Sequence, residues 1–120
     1  MSSIVSTIPK EKTADMNPEM TVEDLKAALD RKEAFVLLDV REPREREISK
    51  LEGSKSIPLG DLPKRFAELD ISSKIVVHCK MGGRSARAVD FLRRQGYDAT
   101  NVAGGIIAWS ERIDPSLPTY

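Results

Sequence analysis

The chain has one cysteine and one histidine in 120 residues, and these scarcities exclude several classes of protein. A single thiol cannot form an internal disulfide, so the fold does not depend on oxidation and a reducing, cytoplasmic setting is expected. One Cys with one His gives no ligand cluster, so neither a metal nor a cofactor is expected. Nineteen basic residues balance nineteen acidic ones, so no global field draws the chain to nucleic acid or to an anionic membrane. Any attraction for anions must therefore be local. No apolar run approaches membrane-spanning length, and the N-terminus lacks the apolar core of a signal peptide. Internal repeats and low-complexity stretches are also missing. What remains is a hydrophobic content of 40% beside a charged content of 32%. That balance suits one small domain burying about two thirds of its unfolded surface.

Residues 1–18 are polar, carry Ser, Thr, Lys and Pro, and show no period, so they read as a flexible leader or linker before a domain at 19–120. Thr21 caps a helix in which Leu25, Ala28 and Leu29 share a face. Residues 34–40 are nearly all apolar, as expected of a strand covered on both faces. The stretch from Arg41 to Gly53 is charged and ends in a turn, and 55–58 is a short strand closed by Pro58. Asp61 is placed to cap a helix with Pro63 in its first turn, running to Leu69. Residues 74–78 form a strand and 85–95 a helix, with Gly96 just past its end. A strand over 99–103 then leads through Gly104 and Gly105 into a helix over 106–113, stopped before Pro115. Strands alternating with helices predict an α/β fold with a mostly parallel sheet of about five short strands, flanked by helices on both faces.

Cys79 falls where one of these strands ends, a loop with two glycines turns, and a helix begins. Loop amides and a helix N-terminus would point at its sulfur, with Lys80 and Arg84 beside it, and all three favour thiolate. Asp39 and Gly104 also lie at strand ends, the edge where parallel sheets carry their sites. His78 precedes the cysteine, and strand alternation turns its side chain away. It reads as structural, Trp109 as core, and Arg87 as a solvated helix residue.

Four segments, in order, resemble a rhodanese (sulfurtransferase) domain. They are Leu37-Leu38-Asp39-Val40-Arg41-Glu42-Pro43; Gly53 with Ile57-Pro58-Leu59; Cys79-Lys80-Met81-Gly82-Gly83-Arg84-Ser85; and Gly104-Gly105-Ile106 with Trp109. The tail from Trp109 to Tyr120 is similar to the end of rhodanese domains fused to adenylyltransferases that activate ubiquitin-like sulfur carriers for molybdopterin or thiamin synthesis. One departure is Lys50, which stands where many rhodaneses carry the histidine of a Gly-His-Ile triplet; that histidine is taken as structural.

The resemblance implies a sulfur relay. Cys79 is the nucleophile that becomes a persulfide, and Lys80, Met81, Gly82, Gly83, Arg84 and Ser85 form the loop that binds it. Gly82 and Gly83 let the loop wrap a sulfur anion, and Arg84 or Lys80 supplies a cation for an anionic donor. Asp39 orients groups near the site, while Arg41 and Glu42 are an ion pair or loop anchors. Thiosulfate or a cysteine desulfurase is the implied donor; cyanide, a thiol or a ubiquitin-like sulfur-carrier protein is the implied acceptor. With no second cysteine, the sulfur must leave to an external acceptor.

Two other readings remain at this level. A cysteine phosphatase or arsenate reductase uses the same physics, but four residues separate Cys79 from Arg84 where phosphatase loops hold five. A non-catalytic partner-binding module would not need the cysteine kept with its glycines and cations.

Overall fold

Parallel pairing requires crossovers, and here the crossovers place helices on both faces of one sheet. The structure, a computed structural model, describes residues Pro18 to Tyr120; the expected leader, apart from Pro18, lies outside the described residues. The strands are β1 (Glu19–Met20), β2 (Val36–Asp39), β3 (Lys55–Ser56), β4 (Lys74–His78) and β5 (Asp98–Val102). They form a five-stranded sheet in the order β1-β5-β4-β2-β3, and every pairing is parallel. The central strand β4 is a β-branched run whose Ile75, Val76 and Val77 are all buried.

Alternation along β4 divides the core. Ile75 and Val77 pack with Leu38, Val89 and Leu92 beneath α4 (Gly83–Arg94). Val76 turns the other way, with Leu37, toward α1 (Val22–Asp30) and α5 (Gly105–Arg112). Trp109 belongs to that second cluster, and Arg87 is exposed. Thr21 caps α1 through a reciprocal pair, accepting from the Asp24 amide at 3.0 Å while Asp24 accepts from the Thr21 amide at 3.1 Å. Among the described residues no helix is long and apolar enough to cross a membrane.

Three elements differ from the sequence expectation. Strand β1 has two residues and pairs only with β5, too few to show a period. The charged stretch after Arg41 contains a helix, α2 (Pro43–Ile48). It has no apolar stripe; Pro43 in its first turn and the Glu45 carboxylate on the Glu42 amide, at 2.9 Å, start it instead. The helix expected from Asp61 to Leu69 is broken into a 3₁₀ turn (Leu59–Asp61), α3 (Leu62–Arg65) and a second 3₁₀ turn (Phe66–Glu68), and the Asp61 side chain caps nothing. The Tyr97 hydroxyl lies 3.0 and 3.1 Å from the carbonyls of Phe66 and Leu69, which ties the end of this segment to the core instead of to a continuing helix.

The carboxyl edge of the sheet is now fixed. Asp39 pairs with His78 in register, and the chain leaves β2, β4 and β5 on that side as Val40, Cys79 and Ala103.

Candidate active site

Strand β4 delivers Cys79 to the edge, and the N-terminus of α5 orients the loop that follows. The amide of Ile106 donates to the Cys79 carbonyl at 2.9 Å and that of Ile107 to the Lys80 carbonyl at 3.1 Å. With those carbonyls turned toward α5, the next amides are free to face the sulfur. The approach is close enough to require glycine at position 105: a Cβ there would sit 2.4 Å from the Lys80 oxygen and 2.6 Å from the Cys79 oxygen. Gly82 adopts φ +113°, open only to glycine at low cost. Gly83 has open space where a Cβ would be and no positive φ. The backbone therefore demands the first glycine of the pair and not the second.

The sulfur sits in the resulting cradle. The Gly82 amide reaches Cys79 Sγ at 3.1 Å, and the Ser85 hydroxyl lies 3.3 Å away. Burial raises the thiol pKa, but the Ser85 hydroxyl and the amides of Ser85, Gly82 and Met81 outweigh it and hold the thiol below its usual range. The first turn of α4 adds its positive end. Cys79 as a residue is 1% exposed, so the sulfur lies beneath the loop.

Arg84, in the first turn of α4, is in a paired state. Its guanidinium forks onto Glu45 with bonds of 2.7 and 2.9 Å. The Arg84 bonds, together with the Tyr120 hydroxyl at 2.6 Å and the Glu42 amide, hold the Glu45 carboxyl at about 2 against the burial that opposes them. Lys80 is half-buried, its Nζ 4.5 Å from the centre of the Tyr120 ring, and Met81 is 68% exposed. Arg44, Glu45, Ile48, Lys80, Arg84 and Tyr120 line an open pocket of about 340 Å³.

Asp39, at the end of β2, accepts from the Arg41 amide, and Arg41 anchors the segment that follows through its carbonyls. Both are fully buried, and they pair with each other: Asp39 accepts from Arg41 Nε at 2.9 Å and from Nη2 at 2.7 Å, and from Arg46 at 2.9 Å. Arg41 therefore pairs with Asp39 and not with Glu42. Its remaining bonds reach the Glu45 and Ser49 carbonyls and the Tyr120 hydroxyl. Burial pushes Asp39 up, but the Arg41 hydrogen bonds more than reverse it and the carboxyl stays ionised. This cluster anchors α2 and the C-terminal residue, and it meets the cysteine loop through the β2–β4 pairing and through Tyr120 and Glu45, which also contact Lys80 and Arg84. His78 is also buried, with Nδ1 3.4 Å from the Cys79 carbonyl and Nε2 3.9 Å from the Asp39 carboxylate without a hydrogen bond; burial lowers its pKa and keeps it neutral. It points away from the sulfur, as strand alternation requires. Lys50 is exposed beside Trp109 at a separate depression.

Sequence reasoning missed Glu45, Tyr120 and Asn101. Glu45 was legible as the third residue after a helix start at Glu42. Asn101 was legible as a polar residue inside a buried strand. Tyr120 carried no local signal.

One thiol held by amides and a helix end, at the carboxyl edge of a parallel sheet, defines an α/β domain with a single cysteine at its candidate site. Residues 21–112 match the Rhodanese-like domain family, and the chain belongs to it. It is 43% identical to Rhodanese-like/PpiC domain-containing protein 12, chloroplastic, from Arabidopsis thaliana, over 70% of this chain and 30% of that protein. It is 36% identical to Adenylyltransferase and sulfurtransferase MOCS3 of the same plant, over 81% of this chain and 25% of that protein. The chain thus spans a quarter to a third of these two relatives. The Putative sulfurtransferase YtwF of Bacillus subtilis is matched over 94% of its length at 32% identity, covering 81% of this chain. A rhodanese-related protein from Thermoplasma volcanium superposes with a TM-score of 0.75 at 34% identity, covering 80% of this chain and 93% of that one.

Proposed function

We propose that the chain is a sulfurtransferase that carries sulfane sulfur as a persulfide on Cys79. The observation that carries this reading is the cradle: an amide at 3.1 Å and a hydroxyl at 3.3 Å around a thiol whose pKa is lowered despite burial. In the first half-reaction the Cys79 thiolate attacks the sulfane sulfur of thiosulfate or of a desulfurase persulfide. A bond forms to Sγ, the donor's S–S bond breaks, and sulfite or the donor thiolate leaves with the electron pair. In the second, cyanide or a thiol attacks the outer sulfur and Sγ departs as thiolate.

An acyl-adenylate on a ubiquitin-like carrier is the acceptor suggested by the likeness to MOCS3, and the same likeness supports fusion to an adenylyltransferase. There the outer sulfur attacks the acyl carbon and the adenylate leaves; an external thiol then attacks Sγ, the thiocarboxylate departs, and a second external thiol frees Cys79 from the resulting mixed disulfide, since the chain holds one cysteine. A lone thiol of this kind suits a reducing, cytoplasmic compartment. Lys80 and Arg84 flank the path of an anionic donor. Arg84 is forked onto Glu45 and not turned over the loop as a phosphate clamp would be, which counts against phosphatase chemistry.

The test is thiocyanate formation from thiosulfate and cyanide, with Cys79→Ser and an aryl phosphate as comparisons. The wild type should form thiocyanate, the variant should fall to background, and neither should release phosphate. Thiocyanate formation by the variant, or phosphate release in place of thiocyanate by the wild type, would overturn the reading.

A further inference from the structure

Asn101 is buried at 1% exposure in β5, opposite Val77 of β4, and it faces the underside of the cysteine loop. Its Nδ2 lies 3.3 Å from the Gly82 carbonyl and 3.3 Å from the Glu19 carboxylate. Both of those partners are acceptors only, so the amide must present its NH₂ to them. Its Oδ1 therefore faces Ser85, whose Oγ is 2.6 Å away. A serine hydroxyl has a single hydrogen, and the same Oγ is 3.3 Å from Cys79 Sγ. While that hydrogen lies on Asn101, Ser85 shows the sulfur a lone pair, which suits a thiol S–H and not a thiolate.

We propose that Asn101 is a positioning residue for Cys79, holding the Ser85 hydrogen while the sulfur is a thiol and yielding it when the sulfur is a thiolate. The inference rests on Cys79 being the reacting thiol. When Sγ is bonded to a transferred sulfur the charge lies on the outer atom, and the hydrogen returns to Asn101. The hydroxyl thus follows the charge on Sγ through the cycle, and the Gly82 carbonyl, tied to the same amide, keeps the loop registered while it does so. The charged groups facing this cluster are Arg84 from α4 and Glu19 from β1.

The experiment is a mutant cycle read as the pH midpoint of Cys79 alkylation by iodoacetamide, which needs no sulfur donor and so stands or falls apart from the transferase reading. Ser85→Ala is measured alone, with Asn101→Leu, and with Asn101→Asp. Leucine removes the competing acceptor, so the upward shift caused by Ser85→Ala should be larger in that background by about one pH unit. Aspartate keeps the size of the side chain and competes more strongly, so the shift should be smaller there than in the native background. A loosened loop would change all midpoints without making the Ser85 effect depend on residue 101. Equal Ser85 effects in the native background and in whichever of the two variants folds would overturn the proposal, as would shifts in the opposite order.

Discussion

Two polar clusters lie side by side at the carboxyl edge of this sheet, and they are built in opposite ways. Around Asp39 and Arg41 the charges are on side chains, fully buried and paired, with Arg46, Ser49 and Tyr120 taking the remaining bonds. Around Cys79 the favourable field comes from backbone amides and a helix end, and the sulfur is the group they surround. The first cluster pairs its charges within the fold, shares Tyr120 with Glu45, and fixes the chain. The second surrounds a single thiol with donors and lies beside the pocket lined by Lys80 and Arg84. Position at a strand end therefore marks where a site can be; whether polar capacity is already satisfied separates the reactive cluster from the structural one.

The sharpest way to break this division is to remove one member of each cluster. Asp39→Ala leaves the Arg41 guanidinium buried without its carboxylate and should cost about 3–5 kcal/mol of folding stability in urea denaturation. Cys79→Ser, at a buried position, should cost about 1 kcal/mol, well below the Asp39→Ala loss, while losing transfer. Similar stability losses in both variants would erase the distinction. Gly105→Ala tests the link between α5 and the cradle: a methyl 2.4 Å from the Lys80 oxygen must push the loop aside. A stability loss of about 1–3 kcal/mol with a clear fall in transfer rate is expected, and a variant with native transfer would remove α5 from the site.

Arg84→Ala comes next. It withdraws the cation from the pocket and should raise the KM for thiosulfate about tenfold, near 1.4 kcal/mol, with less effect on an uncharged donor; an unchanged KM would reduce Arg84 to a structural partner of Glu45. The smallest effect concerns acid. The native Glu45 carboxyl titrates at about 2 and its ordinary value is 4.5, so the unfolded chain binds the proton first as pH falls. The stability this carboxylate supplies is complete above pH 4.5 and is lost as pH drops toward 2. Urea midpoints at pH 6 and pH 3 should show that loss in the native chain and a smaller one in Arg84→Ala; equal losses would show that the pair does not set the Glu45 titration.

Much of this was legible before any coordinates. The run of residues 74–78, the helix after the glycines and the Thr21 cap are local patterns, and each appears within a residue or two of where it was read. The cradle was legible for the same reason, because strand, loop and helix adjoin in sequence around Cys79. Helix α2 was not, since a polar helix stopped by its ends carries no apolar period. The bonds of Arg41 to Tyr120 and Arg84 to Glu45 join residues 79 and 39 positions apart, and no local pattern signals such pairs. Arg41, expected with Glu42 as an ion pair or loop anchor, binds the Glu45 and Ser49 carbonyls, and its ion-pair partner is buried Asp39: burial, not adjacency, chose that partner.

The most direct test of the account is intact mass spectrometry of the native chain and Cys79→Ser after brief incubation with thiosulfate, followed by cyanide. The account predicts a gain of one sulfur atom on the native chain alone, lost on adding cyanide as thiocyanate appears. An equal gain on Cys79→Ser, or no gain on the native chain from either thiosulfate or a persulfidated desulfurase, would contradict it.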